Sequence, residues 1–143
     1  MSNKVKFLVI FISVIVIDQI IKYLFTHGAR VDGDCISLVL AYNKGVAFSL
    51  FAFLGEYLKY IQILLIFCVV GYLFFKKSLL DEYAIPAALI LAGGISNIAD
   101  RFFRDGVVDY VYWHCGFDFA IFNFADVMID LGVLLIFIKS FKK

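Results

Sequence analysis

The chain has 143 residues, 64% hydrophobic and only 17% charged, with a mean hydropathy of +0.97. A soluble domain is roughly half apolar and about a quarter charged, so lipid must be the solvent for much of this surface. The formal net charge of +1 gives no argument for a nucleic-acid partner, which normally needs a strongly basic face, and none is expected.

The first predicted element is an apolar run over residues 7–25, preceded by Lys4 and Lys6. It suffices for about one bilayer crossing at roughly 1.5 Å per helical residue. As a secretory leader it is too long, lacks a small-residue cleavage site after it, and carries charge. Asp18 and Lys22 stand at i and i+4 with the acid first, the favourable order for an ion pair on one helical face. They are expected as a structural pair, the lysine snorkelling near the helix end; support of a nearby site is the alternative. His27-Gly28 ends the helix. The connection over residues 26–55 opens with turn chemistry at Val31-Asp-Gly-Asp34. A β-branched stretch over 36–42 reads as a strand. Asn43-Lys44-Gly45 is a second turn, and 46–51 is expected as the returning strand.

The second predicted span covers 57–75, with Gln62 the strongly polar side chain of its interior, and Lys76-Lys77 closes it. A tight connection over 78–82 leads to the third span, 83–103, with Pro86 in the first turn, where proline is tolerated. Gly93-Gly94 permits close helix approach. Asn97, Asp100 and Arg101 share one face by spacing, and that face cannot look at lipid. Helix-to-loop bracing is their expected role. In the connection over 104–122, Gly106-Val-Val-Asp109-Tyr110 predicts a turn and a short extended piece. Tyr110, Tyr112, Trp113 and Phe117 suit an interfacial aromatic belt. The fourth span, 123–141, is entered through Asn123-Phe-Ala-Asp126, with Asp130 one turn deeper.

In this four-span plan Lys4, Lys6, Lys76, Lys77, Lys139, Lys142 and Lys143 fall on one side. The positive-inside tendency makes that side cytoplasmic. Both termini are then inside, and Asp109 and Asp126 come to the outer boundary. Arg30, Lys44, Lys59, Arg101 and Arg104 lie on the other side, so the bias is incomplete.

Two carboxylates brought close cannot both ionise cheaply, and the pair shares a proton. The ionised member can take a proton from water while the protonated one polarises a carbonyl. This is the division of labour in an aspartyl peptidase, and it requires neither metal nor cofactor. From the residues alone, Asp109 and Asp126 read equally as such a pair or as a loop acid and a helix-cap acid. Serine chemistry is disfavoured, because Ser37, Ser49 and Ser96 have no histidine at suggestive spacing and no GxSxG occurs. The adjacent His114-Cys115 is a poor thiol–imidazole pair. Neither histidine has a ligand cluster beside it, so no metal site is expected. Cys68 reads as packing; Cys35 and Cys115 are expected as free thiols, a disulfide being the alternative on an oxidising side. A proton-coupled transporter using Asp18, Lys22, Asp100 and Asp126 is the rival from another class. It would distribute charge through the bilayer, whereas here the polar groups crowd toward one face. A non-enzymatic assembly factor would leave the acid–amide–arginine blocks without a purpose.

Five blocks occur in order: Asp18-Gln19-x-x-Lys22, Tyr42-Asn43-x-Gly45-x-Ala47-Phe48, Gly93-Gly94-x-x-Asn97-x-x-Asp100-Arg101, Gly106-Val-Val-Asp109-Tyr110, and Phe122-Asn123-x-Ala125-Asp126. Together they resemble the bacterial lipoprotein signal peptidases, or signal peptidase II, over nearly the whole chain. The resemblance implies an α-helical membrane protein, four transmembrane helices with a small extracytoplasmic β-cradle, forming one domain over 1–143. It implies an aspartyl endopeptidase of the inner membrane that cuts diacylglyceryl-modified prolipoproteins on the amino side of the lipidated cysteine. It also implies inhibition by globomycin-type compounds; a monomer is expected. The catalytic aspartates of the family map onto Asp109 and Asp126. Its supporting polar positions map onto Asn97, Asp100, Arg101, Asn123 and Asn43, with Asp18 and Lys22 as further motif positions. Ser96 stands where the family usually has glycine, Tyr110 where it commonly has phenylalanine, and Asp130 is an unexpected acid.

Overall fold

The computed structural model describes residues 1–45 and 50–141. Its elements in order are α1 (Asn3–Thr26), β1 (Ile36–Asn43), α2 (Tyr57–Phe75), α3 (Lys77–Glu82), α4 (Ala84–Phe103), β2 (Val107–Trp113) and α5 (Phe124–Phe141). Helix α1 starts ahead of the apolar run because Ser2 caps it, its hydroxyl accepting from the Val5 amide. It ends at the expected place, with His27 as C-cap and Gly28 at φ 103°. The tight connection expected at 78–82 is the short helix α3.

Helix α4 is central and packs against both α1 and α5. Its buried residues include Ala84, Ala87, Ala88, Ala92 and Gly93, small side chains that let backbones approach closely where lipid removes the usual hydrophobic drive. At Gly93 a Cβ would stand 2.6 Å from the Ala125 carbonyl oxygen, so only glycine allows this α4–α5 contact. Helix α2 rests on α4 along a narrow line: Leu58 is buried, and Ile66 lies against Gly94. Leu64, Leu65 and Phe67 are exposed, as suits a helix whose outer faces meet hydrocarbon. Cys68 is also exposed and free, not packed inside as expected, because α2 buries so little of itself.

Among the described residues, α1 alone is long and apolar enough to cross a bilayer by length and composition; α2 holds a shorter apolar stretch, Tyr57–Leu73. Four long helices, α1, α2, α4 and α5, stand over the four stretches expected as spans. Helices α4 and α5 carry Asn97, Asp100, Arg101, Asp126 and Asp130 within their length. The Asn3 amide donates to the Asp81 carbonyl at 2.9 Å, and Lys139 Nζ to that of Glu82 at 2.6 Å. The start of α1, α3 and the end of α5 therefore share one end of the bundle.

Strands β1 and β2 pair antiparallel, from Ile36 opposite Trp113 to Asn43 opposite Val107, with an irregularity between Leu38 and Ala41. The strand expected at 36–42 is present and pairs with a strand of the second connection. Leu50 and Phe51 form a turn. Residues 46–49 lie outside the described residues, and with them Ala47, Phe48 and Ser49; so do Lys142 and Lys143. Long-range pairing wins because Gly106 admits close backbone approach: a Cβ there would stand 2.7 Å from the Asn43 carbonyl oxygen. The same register corrects the cysteine expectation. Cys35 and Cys115 form a disulfide, since Ile36 faces Trp113 and the His114 amide donates to the Cys35 carbonyl at 2.9 Å.

Candidate active site

The site is built on a buried ion network. Lys22 Nζ lies 2.7 Å from Asp18 Oδ2 and 2.7 Å from Asp100 Oδ2, and donates to Asn97 Oδ1 at 2.8 Å. All three charged side chains have no exposure at all. The lysine therefore does not snorkel. Its face of α1 packs on α4, and its three N–H donors all find acceptors. Asp18 also accepts from the Ser96 hydroxyl at 2.7 Å and from the Ala125 amide at 3.0 Å, which fixes the first turn of α5. Asp100 accepts from the Val108 amide at 3.2 Å and from the Arg104 guanidinium, which ties β2 to α4. Removing one partner from such a network leaves an uncompensated buried charge, so the value of the network lies in fixing register.

On this base stand the two aspartates. Asn123 caps α5 reciprocally with Asp126: the Asp126 amide donates to Asn123 Oδ1 at 2.9 Å, and the Asn123 amide to Asp126 Oδ2 at 3.1 Å. This is a capping box with Asn and Asp in the two roles. Asn123 Nδ2 then donates to Asp109 Oδ1 at 2.7 Å. One residue thus holds both carboxylates. Asn97 Nδ2 donates to the other Asp126 oxygen at 2.8 Å, and Asn43 Nδ2 to Asp109 Oδ2 at 3.1 Å. Arg101 donates to the carbonyls of Asn43 and Gly45, steadying the end of β1.

Asp109 and Asp126 line one cavity of about 490 Å³, together with Asn43, Asn97, Arg101, Gln62 and Asp130. Burial pushes the Asp109 carboxyl up to about 7, and the Asp126 charge adds to this; the Asn43 and Asn123 amides and the Lys22 charge oppose it. A group that titrates near neutrality can hold a proton or release it during a reaction. Among the described residues, no group of three or more metal-ligating side chains converges.

Asp109, Asp126, Asn43, Asn97 and Arg101 come together at the cavity. Asn123 is fully buried behind the carboxylates it holds. Asp100, Asp18 and Lys22 form the layer beneath. Three contributors were missed. Arg104 stands at i+4 from Asp100, a spacing that could have revealed it. Gln19 Nε2 reaches Ser96 Oγ at 2.9 Å and Asp100 Oδ1 at 3.1 Å. The Tyr110 hydroxyl accepts from the Phe124 amide at 2.9 Å, so the ring that replaces phenylalanine adds a cap to α5. Ser37 Oγ meets His114 Nε2 at 2.9 Å, a pairing no sequence spacing suggested, but neither residue lines the cavity.

The sequence profile of the family described as signal peptidase (SPase) II, Peptidase_A8, matches residues 10–142. A lipoprotein signal peptidase of Sulfurimonas denitrificans is 61% identical over 129 residues, 90% of this chain and 83% of the relative. One from Helicobacter pylori is 50% identical over 135 residues, 94% of this chain and 86% of the relative. Among solved structures, one described as a bacterial membrane enzyme superimposes with a TM-score of 0.80 at 26% identity, covering 96% of this chain and 88% of that one.

Proposed function

The chain belongs to the signal peptidase II family of aspartic-type membrane peptidases, and we propose that Asp109 and Asp126 are its catalytic pair. The observation that carries this reading is Asn123, which donates to one carboxylate through its side chain and to the other through its backbone, at the wall of a shared cavity. In the proposed reaction a water held between the carboxylates attacks the scissile carbonyl carbon. Asp126 takes the proton from that water. Asp109, whose carboxyl is pushed up to about 7, gives its proton to the carbonyl oxygen. Collapse of the resulting diol breaks the C–N bond: the proton on Asp126 passes to the leaving amine while the now ionised Asp109 takes back a proton from a diol hydroxyl, which restores the starting state of the pair. Asn97, Asn43 and Asn123 orient the carboxylates; Arg101 supports Asn43; Asp100, Asp18 and Lys22 hold the helices in register.

The substrate is a diacylglyceryl-modified prolipoprotein, cut on the amino side of the lipidated cysteine. Its acyl chains remain in lipid, which avoids about 0.8 kcal/mol for each CH₂ moved into water. The protein acts as a monomer and a single domain over residues 1–143, in the bacterial inner membrane. Four spans, approximately 7–25, 57–75, 83–103 and 123–141, leave both termini cytoplasmic and the active site and β-cradle extracytoplasmic. Globomycin-type compounds inhibit it by occupying the same cavity.

Cleavage of a lipidated prolipoprotein by wild type, Asp109→Asn and Asp126→Asn, side by side in detergent, tests the reading. Each substitution removes one member of the acid–base pair and is expected to lower turnover at least about a hundredfold, with the thermal unfolding of a folded protein retained. Near wild-type cleavage by either variant refutes the pair.

A further inference from the structure

Among the described residues, two buried side-chain atoms have no hydrogen-bond partner: Gln62 Oε1 and Arg101 Nε. Orphaned buried polar atoms are rare enough in folded proteins that each calls for an explanation. Both residues line the cavity that holds Asp109 and Asp126. Gln62 belongs to α2 and is the one residue of that helix that lines the cavity. Its position follows from helical spacing. Leu58, Gln62 and Ile66 recur every four residues, Leu58 is buried, and Ile66 packs against Gly94 of α4. Gln62 therefore sits on the face of α2 that meets α4, while Ile61, Leu64 and Leu65 are exposed. A leucine at this position would fit the helix, its packing and a lipid environment better than an amide.

One orphan is an acceptor and the other a donor. An extended peptide backbone offers the complement of both, an N–H and a C=O. We propose that Gln62 is a substrate-positioning residue, its Oε1 accepting one backbone N–H of the signal-peptide strand as that strand lies in the cavity. Arg101 Nε is the matching donor for a backbone carbonyl. A backbone partner suits a peptidase that must accept many signal sequences, because every residue but proline supplies the same N–H. Recognition then does not depend on side-chain identity, which the apolar wall of the cavity reads only by size. This inference rests on the peptidase reading of the site and adds to it the contact that orients the strand.

The test is a coupling experiment. Lipidated substrates are made in which a single amide near the scissile bond is replaced by an ester, one position at a time, which deletes one N–H. Wild type is expected to lose about tenfold in kcat/KM at one position, the effect of leaving a buried acceptor unmatched in the complex. Gln62→Leu is expected to cleave the all-amide substrate about tenfold less efficiently, mainly through KM, and to be insensitive to the ester at that same position. Gln62→Leu should also unfold at the same temperature as wild type or a higher one, since it removes an unpartnered polar atom from the free enzyme. A merely structural glutamine would lower the unfolding temperature and show no coupling to any ester. If wild type cleaves the lipidated substrate but no ester position couples to Gln62, this inference falls and the peptidase reading stands. If wild type does not cleave that substrate at all, the peptidase reading itself falls.

Discussion

Asp109 lies in the sheet, outside the long helices, and its raised proton affinity has a calculable sign. A carboxyl whose folded-state value is near 7, against about 4 in an unfolded chain, binds its proton more tightly in the native state. Its contribution to stability is complete below about pH 4 and is lost as pH rises through about 7. Wild type in detergent is therefore expected to unfold at progressively lower temperature between those values, and Asp109→Asn should lack that component of the slope. In the proposed mechanism the same titration sets the alkaline limb of turnover, which should fall above about pH 7 as Asp109 loses its proton. A flat difference between wild type and variant across that range would remove Asp109 from the role of proton carrier. The polar groups of Ser96 and Tyr110 are absorbed locally. The Ser96 hydroxyl donates to Asp18, and the Tyr110 hydroxyl caps α5, so neither weakens the site.

Helices α4 and α5 set the distance between the layers of the site. Gly93 permits the approach of α5 at Ala125, and the next residue is Asp126. In Gly93→Val the new side chain must displace the Ala125 carbonyl or Ile129, whose Cγ1 would lie 2.8 Å from the added Cβ. Overpacking of this kind costs about 1–3 kcal/mol. The variant is expected to unfold at lower temperature and to cleave more slowly, because Asn97 and Asp126 move apart. Unchanged unfolding and unchanged turnover would mean that α5 shifts freely without disturbing the pair. The sheet is the second positioning element: β1 delivers Asn43 and β2 delivers Asp109, with Ala41 opposite Asp109 in the register. The Cys35–Cys115 disulfide closes the far end of that sheet. It limits fraying of two strands that, as an isolated pair, would be marginal.

The whole molecule is inverted relative to a soluble domain. Charges and amides are collected along α1, α4 and α5, and the apolar side chains face outward. Lipid asks for this arrangement, because an ionised group facing hydrocarbon is expensive while an exposed leucine is not. The end of the bundle that carries α3, the start of α1 and the end of α5 lies opposite the end that carries the sheet. In the proposed orientation the sheet end is outside the cell. With Cys68→Ala as background, Asp118→Cys should react with a membrane-impermeant maleimide on intact spheroplasts. Ser78→Cys should react only after permeabilisation. The reverse pattern would invert the proposed topology.

The long helices, the strand at 36–42 and the shared face of Asn97, Asp100 and Arg101 were legible from local causes in the sequence: apolar run length, β-branched composition, and i, i+3, i+4 spacing on one helix. Asn43 and Asn123 were indicated only by the family resemblance, and the residues alone left Asp109 and Asp126 open between a pair and two unrelated acids. Asp126 was expected at a helix start as the capping acid; that Asn123 is the cap and Asp126 its reciprocal partner emerged only in the structure. What only the tertiary structure decided were the meetings between distant segments. The partner of β1 came from the second connection, because backbone pairing carries no side-chain signature and Gly106 made the approach possible. Lys22 was buried between two aspartates, not snorkelling, because Asp100 approaches from another helix. Cys35 and Cys115 were joined by strand register. The convergence of Asp109 and Asp126 on Asn123 had the same cause: a loop, a strand and a helix cap brought to one point by packing around α4.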